Sequence, residues 1–248
     1  MKLGRKPVRR DPRVKSLALY TRALSLAPPP PAVDYYSKVQ GSWPMDLNDQ
    51  LGDCTIAAVS HCATLWTANA QVQPFLMSDA DVLEAYEKIG GYDPSNPGTD
   101  QGCVEQDVLQ AWCRDGIDGD VLDGYVMLNC TDLDEIRDAI HWFGSVYIGI
   151  SIPKSAMENT DLWEVVVGSE IAGGHAVMLA GYDSDHFYTV SWGKLIPTTP
   201  EFLLTYMDEA YGLLSKDFID QTGKTPAGLS LDDMIANCAT LKFGAVRK

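Results

Sequence analysis

The stretch "TIAAVSHCATLWTANAQ", residues 55–71, constrains the fold more than any other part of the chain. It sets small and apolar residues at helical spacing and holds no proline or glycine, the pattern of a buried helix. Directly before it stands "GDC", which puts Cys54 at the helix's first turn. Free backbone N–H groups and the helix dipole favour negative charge there.

Other helices are expected around this one. "SDADVLEAYEKIG" is capped by Ser78, carries acidic residues in its first turn and ends at Gly90-Gly91. "VEQDVLQAWCRDG" is stopped at Gly116, and "DLDEIRDAIHWFG" runs from an Asp132 cap to Gly144. The period then changes. "SVYIGISIP" alternates and is rich in β-branched residues, so it reads as a strand. "HAVMLAGYD" and "HFYTVSWG" read as two more strands joined by a tight turn at residues 183–185. "TPEFLLTYMDEAYGLLS" returns to a helical pattern. Helices first and strands second predict an α+β protein. The expected body spans residues 33–248, with a helical lobe at 33–143, a sheet lobe at 144–248 and a cleft between them.

A basic arm, residues 1–32, precedes that body and is set off from it by "LAPPPPAVDYY", whose four prolines favour a stiff extended spacer. Residues 1–15 carry seven basic side chains against Asp11 alone, a net +6, so the overall −15 leaves −21 on the remainder. An acidic body argues against nucleic-acid binding, because a phosphate backbone needs Lys and Arg. Two readings of the arm follow: a solvated tail or strap across its own acidic surface, or a docking arm for a polyanion or a larger assembly. No apolar run approaches the ~20 residues that span a bilayer. No apolar segment follows the basic arm, so no secretory signal and no membrane partner are expected.

The six cysteines (54, 62, 103, 113, 130 and 238) form no CxxC and no Cys/His zinc pattern. They are expected to be reduced, with no metal. A thiol becomes a nucleophile as a thiolate, and a nearby imidazole favours that form. His61 lies seven residues along the helix from Cys54, about 10 Å of rise, out of hydrogen-bond reach. His141 belongs to a helix face and His186 to a hairpin turn. His175 follows Gly173-Gly174 and opens an apolar strand; the glycines allow another chain or a substrate to approach closely.

Taken in order, these pieces resemble the papain-like cysteine proteases, from about Val33 to Gly193. "VDYYSKV" is similar to the "VDWR" that opens the papain-type domain, and Pro44 stands ten residues before Cys54, as the corresponding proline does there. "LGDCTIAA" is similar to the calpain stretch "LGDCWLLAA", and "DQGCVEQDVLQAWCRDGI" resembles the family's glycine-rich turn and following helix. "GGHAVMLAGYDSDHFYTVSWG" resembles the family's His strand and "NSWG" turn.

The resemblance implies a two-lobed papain-like fold with Cys54 as nucleophile and His175 as base. Asn48, six residues before Cys54, stands where the family keeps a glutamine that lines the oxyanion hole with the Cys54 N–H. Trp192 would shield the site. Val190 replaces the asparagine that orients the imidazole in the family, and valine accepts no hydrogen bond. Ser191, Thr189 or a backbone carbonyl is left to orient His175. Leu51 stands in place of one half of a common disulfide, and Cys103, which matches a disulfide cysteine of the family, is read as free.

The activity implied is that of a cysteine peptidase or hydrolase, cutting a peptide or isopeptide bond through an acyl-enzyme on Cys54. Its partner would be a peptide or protein substrate, with no cofactor. Val190 and Asn48 motivate a second expectation, a papain-fold protein without chemistry that binds or builds an assembly such as a virion. Papain-like proteins of bacterial and phage genomes are similar, so the expected setting is cytoplasmic or, for a phage-encoded chain, virion-associated.

Overall fold

A computed structural model describes residues 1–21, 28–70, 74–220, 222–228 and 230. Cys238 and the end of the expected body, 231–248, lie outside the described residues, as does Gln71 at the end of the first expected helix. The helices are α1 (Ala18–Thr21), α2 (Cys54–Ala70), α3 (Asp79–Gly90), α4 (Glu105–Arg114), α5 (Leu133–Phe143), α6 (Lys154–Glu158) and α7 (Pro200–Tyr206). The strands are β1 (Val33–Asp34), β2 (Gly124–Met127), β3 (Val146–Pro153), β4 (Ile171–Tyr182), β5 (Phe187–Ser191), β6 (Lys194–Thr198) and β7 (Met207–Leu214).

The local signals act as the residue chemistry dictates. The Ser78 side chain accepts from the Asp81 N–H at the start of α3, and Gly91 closes that helix at φ 73°. The Asp132 side chain accepts from the N–H groups of Asp134 and Glu135, and Gly144 (φ 83°) ends α5. In α2 every residue from Cys54 to Thr67 is buried, so the helix is a core rod wrapped on all sides. The Trp66 indole stacks on Trp112 of α4 with centroids 5.7 Å apart and donates to the Phe143 carbonyl, fixing α2 against both neighbours.

The strands form one antiparallel sheet in the order β2-β7-β3-β4-β5-β6, with β1 pairing β4. Two apolar clusters flank it. Ile148, Ile150, Val177 and Leu179 pack with α5 and α7, whereas Tyr147, Ala176, Met178 and Val190 pack with α2, α3 and α4. The class is α+β. Among the described residues no helix is long and apolar enough to cross a membrane.

Two expectations are corrected. The helix expected over 199–215 is helical only to Tyr206; Met207–Leu214 is the strand β7. Its Met, Glu, Ala and Leu residues favour a helix locally, but the segment fills the slot between β2 and β3, where backbone pairing and near-complete burial outweigh propensity. The His175 strand also begins earlier than its apolar run, at Ile171, so His175 lies inside β4 rather than at its start. Part of the basic arm packs on the body, as the strap reading has it. Val14 and Leu17 are buried, and Lys15 and Leu17 exchange backbone hydrogen bonds with Met127 of β2.

Candidate active site

Cys54 is the first residue of α2, 1% exposed. The preceding loop reaches it through Asp46 and Leu47, both left-handed at φ 52° and 61°, a costly conformation for non-glycine residues. The Asp46 carboxylate and the Pro44 carbonyl hold His61 Nε2 at 3.2 and 2.9 Å, so His61 anchors this loop to α2. Asn48 is buried, and its amide nitrogen donates to the Leu51 carbonyl (3.1 Å) and to Asp53 Oδ1 (3.0 Å). Both amide hydrogens are thus spent within the loop. Burial pushes the Asp53 carboxyl up to about 8, against the opposing pull of the Asn48 amide.

The Cys54 Sγ accepts from the Ala176 N–H at 3.4 Å, which ties the head of α2 to the residue after His175. The His175 ring is fixed on two sides. Its Nε2 lies 2.7 Å from Ser191 Oγ, and its plane stacks on Trp192 with centroids 4.4 Å apart at 17°. Its Nδ1 is buried and carries no hydrogen bond. Trp192 has φ 47° and Gly193 φ 70°, the two central residues of the turn from β5 to β6; this turn lays the indole over the imidazole. Thr189 pairs instead with Thr198 of β6, hydroxyl to hydroxyl at 2.7 Å. Val190 is fully buried opposite Met178.

The cleft is not open, because the chain's own N-terminus lies in it. The Lys2 N–H donates to the Asn48 carbonyl (2.9 Å), and the Cys103 N–H donates to the Gly4 carbonyl (2.9 Å). The Lys6 N–H donates to the Cys103 carbonyl (2.8 Å), the Arg5 N–H to the Gly174 carbonyl (3.2 Å) and the Trp192 indole to the Lys2 carbonyl (3.3 Å). Glycines make the track. A Cβ on Gly4 would stand 1.6 Å from the Gly52 carbonyl oxygen, one on Gly102 1.6 Å from the Gly4 oxygen and one on Gly174 2.4 Å from the Arg5 oxygen. The Gly4 backbone N–H also points at the Cys54 sulfur.

Burial sets the charge state of the two groups. Burial pushes the Cys54 thiol up to about 12, against the N–H groups of Ala176 and Gly4. Burial, with the positive charges of Arg5 and His61, pushes the His175 imidazole down to about 3. Both groups are therefore neutral in the strapped form at ordinary pH. Entry of water would favour the charged form of each group.

Sequence reasoning did not find Gly4, Arg5, Asp208 or Glu209 at the site. Arg5 is 8% exposed, and its guanidinium sits among Glu105, Asp208 and Glu209. The only signal was the opposition of a basic arm to an acidic body. Which arm residue meets which carboxylate depends on the course of the strap, and that is set by tertiary contacts.

No protein-family model matches the sequence, nor does any curated protein. Solved structures do match. The cysteine protease xylellain from Xylella fastidiosa is similar at 17% identity and a TM-score of 0.64, with 86% of this chain and 96% of that one covered. Procathepsin L 3 of Tenebrio molitor is similar at 16% identity and a TM-score of 0.59, covering 85% of this chain and 75% of that one. The Carica candamarcensis cysteine protease CMS1MS2 is similar at 14% identity and a TM-score of 0.55, covering 75% of this chain and 99% of that one. The likeness is one of backbone over most of each chain: this protein has the papain-like cysteine protease fold.

Proposed function

We propose that the chain is a cysteine peptidase held latent by its own N-terminal strap. The observation that carries this reading is the clamped imidazole, one residue before the backbone N–H that bonds the thiol. His175 is held by Ser191 and Trp192 with Nδ1 unpartnered, and Cys54 is bonded to the very next residue. With the strap withdrawn, Nδ1 takes the Cys54 proton, the thiolate attacks a peptide carbonyl, and His175 returns the proton to the leaving amine. Water then resolves the acyl-enzyme. The Cys54 N–H at the head of α2 is one donor for the oxyanion, and Asn48 joins it by releasing Leu51 or Asp53.

A second reading, a papain-fold binding protein without chemistry, is favoured by one observation, the Asn48 amide already satisfied inside its own loop. Alkylation of Cys54 by iodoacetamide from pH 4 to 9, followed by mass spectrometry, separates the two. The intact chain should react slowly throughout. Gly4→Val, which cannot seat its side chain under the Gly52 carbonyl, should react fast well below the ordinary thiol value of 9. Adding His175→Ala should abolish that low-pH reactivity. A Gly4→Val chain whose Cys54 behaves as an ordinary thiol, with or without His175, supports the binding protein instead.

A further inference from the structure

Arg5 is held by more than an anchoring residue needs. Its Nη1 lies 2.7 Å from Asp208 Oδ1 and 3.3 Å from Glu209 Oε2, its Nη2 donates to Asp208 Oδ2 at 2.8 Å, and its Nε lies 3.8 Å from Glu105 Oε1. Nη2 bonds Asp208 while Nη1 bonds Glu209, so the planar fork spans two carboxylates, a geometry a guanidinium matches and an ammonium does not. The fold has been shaped around this point. The register between β3 and β7 shifts here, Gly149 facing Glu209 and Ile150 facing Met207, which leaves Asp208 as a bulged residue between them. Bulges of this kind re-aim a side chain. Ser151 Oγ donates to Asp208 Oδ2 at 2.9 Å, and Tyr211 donates to Glu209. At Gly149 a Cβ would stand 2.5 Å from Glu105 Oε1 and 2.7 Å from Arg5 Nη1, so the glycine leaves the space that the guanidinium fills.

Two further observations point to an exchangeable guest. Glu105 is completely buried, and neither of its carboxylate oxygens accepts a hydrogen bond even with Arg5 in place. Burial pushes the Glu105 carboxyl well above its ordinary value, against the pull of Arg5, and a buried polar group without a hydrogen bond is costly to the fold alone. The pocket also adjoins the thiol, because Gly149 is paired on its other side with Ala176, whose N–H bonds Cys54 Sγ. The strap residue in the pocket is the one next to Gly4, whose backbone N–H bonds the sulfur.

We infer that the pocket formed by Glu105, Asp208, Glu209 and Gly149 is a subsite for an arginine side chain of an incoming peptide, with Arg5 its internal occupant. The inference rests on the peptidase reading for the word substrate, and on geometry alone for the pocket. It names the substrate class as peptides carrying arginine beside the bond presented to Cys54. Lysine is the poorer guest, because its single ammonium lacks the rigid fork that spans Asp208 and Glu209. The charge of −21 on the chain beyond residue 15 draws the same class of peptide.

The test uses the full chain carrying Gly4→Val and Arg5→Ala, which expels the strap and empties the pocket. The probes are fluorescent acetyl-Leu-Gly-Arg-Lys-amide and the same peptide with citrulline, the neutral isostere, or lysine in place of arginine. Binding is read by anisotropy with Cys54→Ala added to prevent turnover. The arginine peptide should bind at least about tenfold more tightly than the citrulline peptide, a difference of about 1.4 kcal/mol, with lysine between them. Asp208→Asn should collapse that ratio toward one. Gly149→Ala, which adds no charge and blocks the guanidinium, should do the same and guards against a folding defect in the acidic variant. Equal binding of all three peptides, or no binding of any, overturns the inference and leaves the carboxylates as an anchor for the strap alone. Iodoacetamide reactivity of Cys54 in the Gly4→Val, Arg5→Ala chain that keeps Cys54 reads the peptidase proposal separately. A reactive thiol with no arginine preference sinks only the subsite. An inert thiol with arginine preference sinks only the chemistry.

Discussion

Ser191 and Thr189 are two residues apart on β5 and so share a face of the sheet. Only position along the strand separates them: Ser191, at its end, reaches His175 Nε2, while Thr189, one step inward, is taken by Thr198. The sequence presents both hydroxyls and cannot rank them, because which one meets the imidazole depends on the register between β4 and β5 and on the shift between Leu179 and Gly181. Cys54, His175 and Trp192 were legible because ordered motifs carried them. The use of the Asn48 amide was not, because its partners are decided by two left-handed residues just before it. A split between the two hydroxyls follows. In the Gly4→Val background, Ser191→Ala should slow peptide turnover, by less than the ~10²–10⁴-fold that a general base supplies, and should leave the melting temperature nearly unchanged. Thr189→Ala should do the reverse, lowering the melting temperature and sparing turnover. Equal loss of turnover in both would remove Ser191 from its positioning role.

At the level of elements, the helices and their caps were readable because each is set by local chemistry: Ser78, Asp132, Gly91 and Gly144 act within one turn. The strand β7 was not, because its residues are helix formers that only a slot between β2 and β3 makes extended. Gly212 was the one local clue; a Cβ there would stand 2.8 Å from the Phe143 ring. The first turn of α2 carries a testable consequence of burial. Asp53 holds its proton up to about 8 in the folded chain, against an ordinary 3.8. The folded state therefore binds a proton that the unfolded state has released, and the stabilisation is full below 3.8 and lost as pH rises toward 8. His175 acts with the opposite sign: depressed from 6.5 to about 3, it stabilises above 6.5 and loses that as pH falls. The two are separable between pH 6.5 and 8, where only the Asp53 proton is in play of the pair. The melting temperature of the intact chain should fall across that window, and Asp53→Asn, which keeps an oxygen acceptor for Asn48, should flatten the fall. A variant with the parental slope would show that Asp53 is already ionised in the folded protein.

At the scale of the whole molecule, the proposed latency is an intramolecular property of the strap. The strap is fixed at one end by the cleft contacts of residues 2–6 and at the other by Val14 to Leu17 on β2. The intervening span exposes Pro7, Arg9, Arg10, Pro12 and Arg13, with Arg9 paired to Asp107 and Arg13 to Asp11. A short tether holds the strap at an effective concentration on the order of mM, far above that of the protein itself. Dilution should therefore leave the intact chain latent. Limited trypsin digestion at the exposed arginines cuts the tether without touching the cleft, and the strap then obeys mass action. In the nicked chain, Cys54 alkylation should rise on roughly hundredfold dilution as the cut strap leaves, and added arm peptide should reverse the rise. If the nicked chain stays unreactive at every dilution, the cleft contacts hold the strap without the tether, and release must come from a competing peptide or a change in the acidic pocket. If the intact chain also becomes reactive on dilution, the strap is exchanging between molecules and latency is not built into one chain.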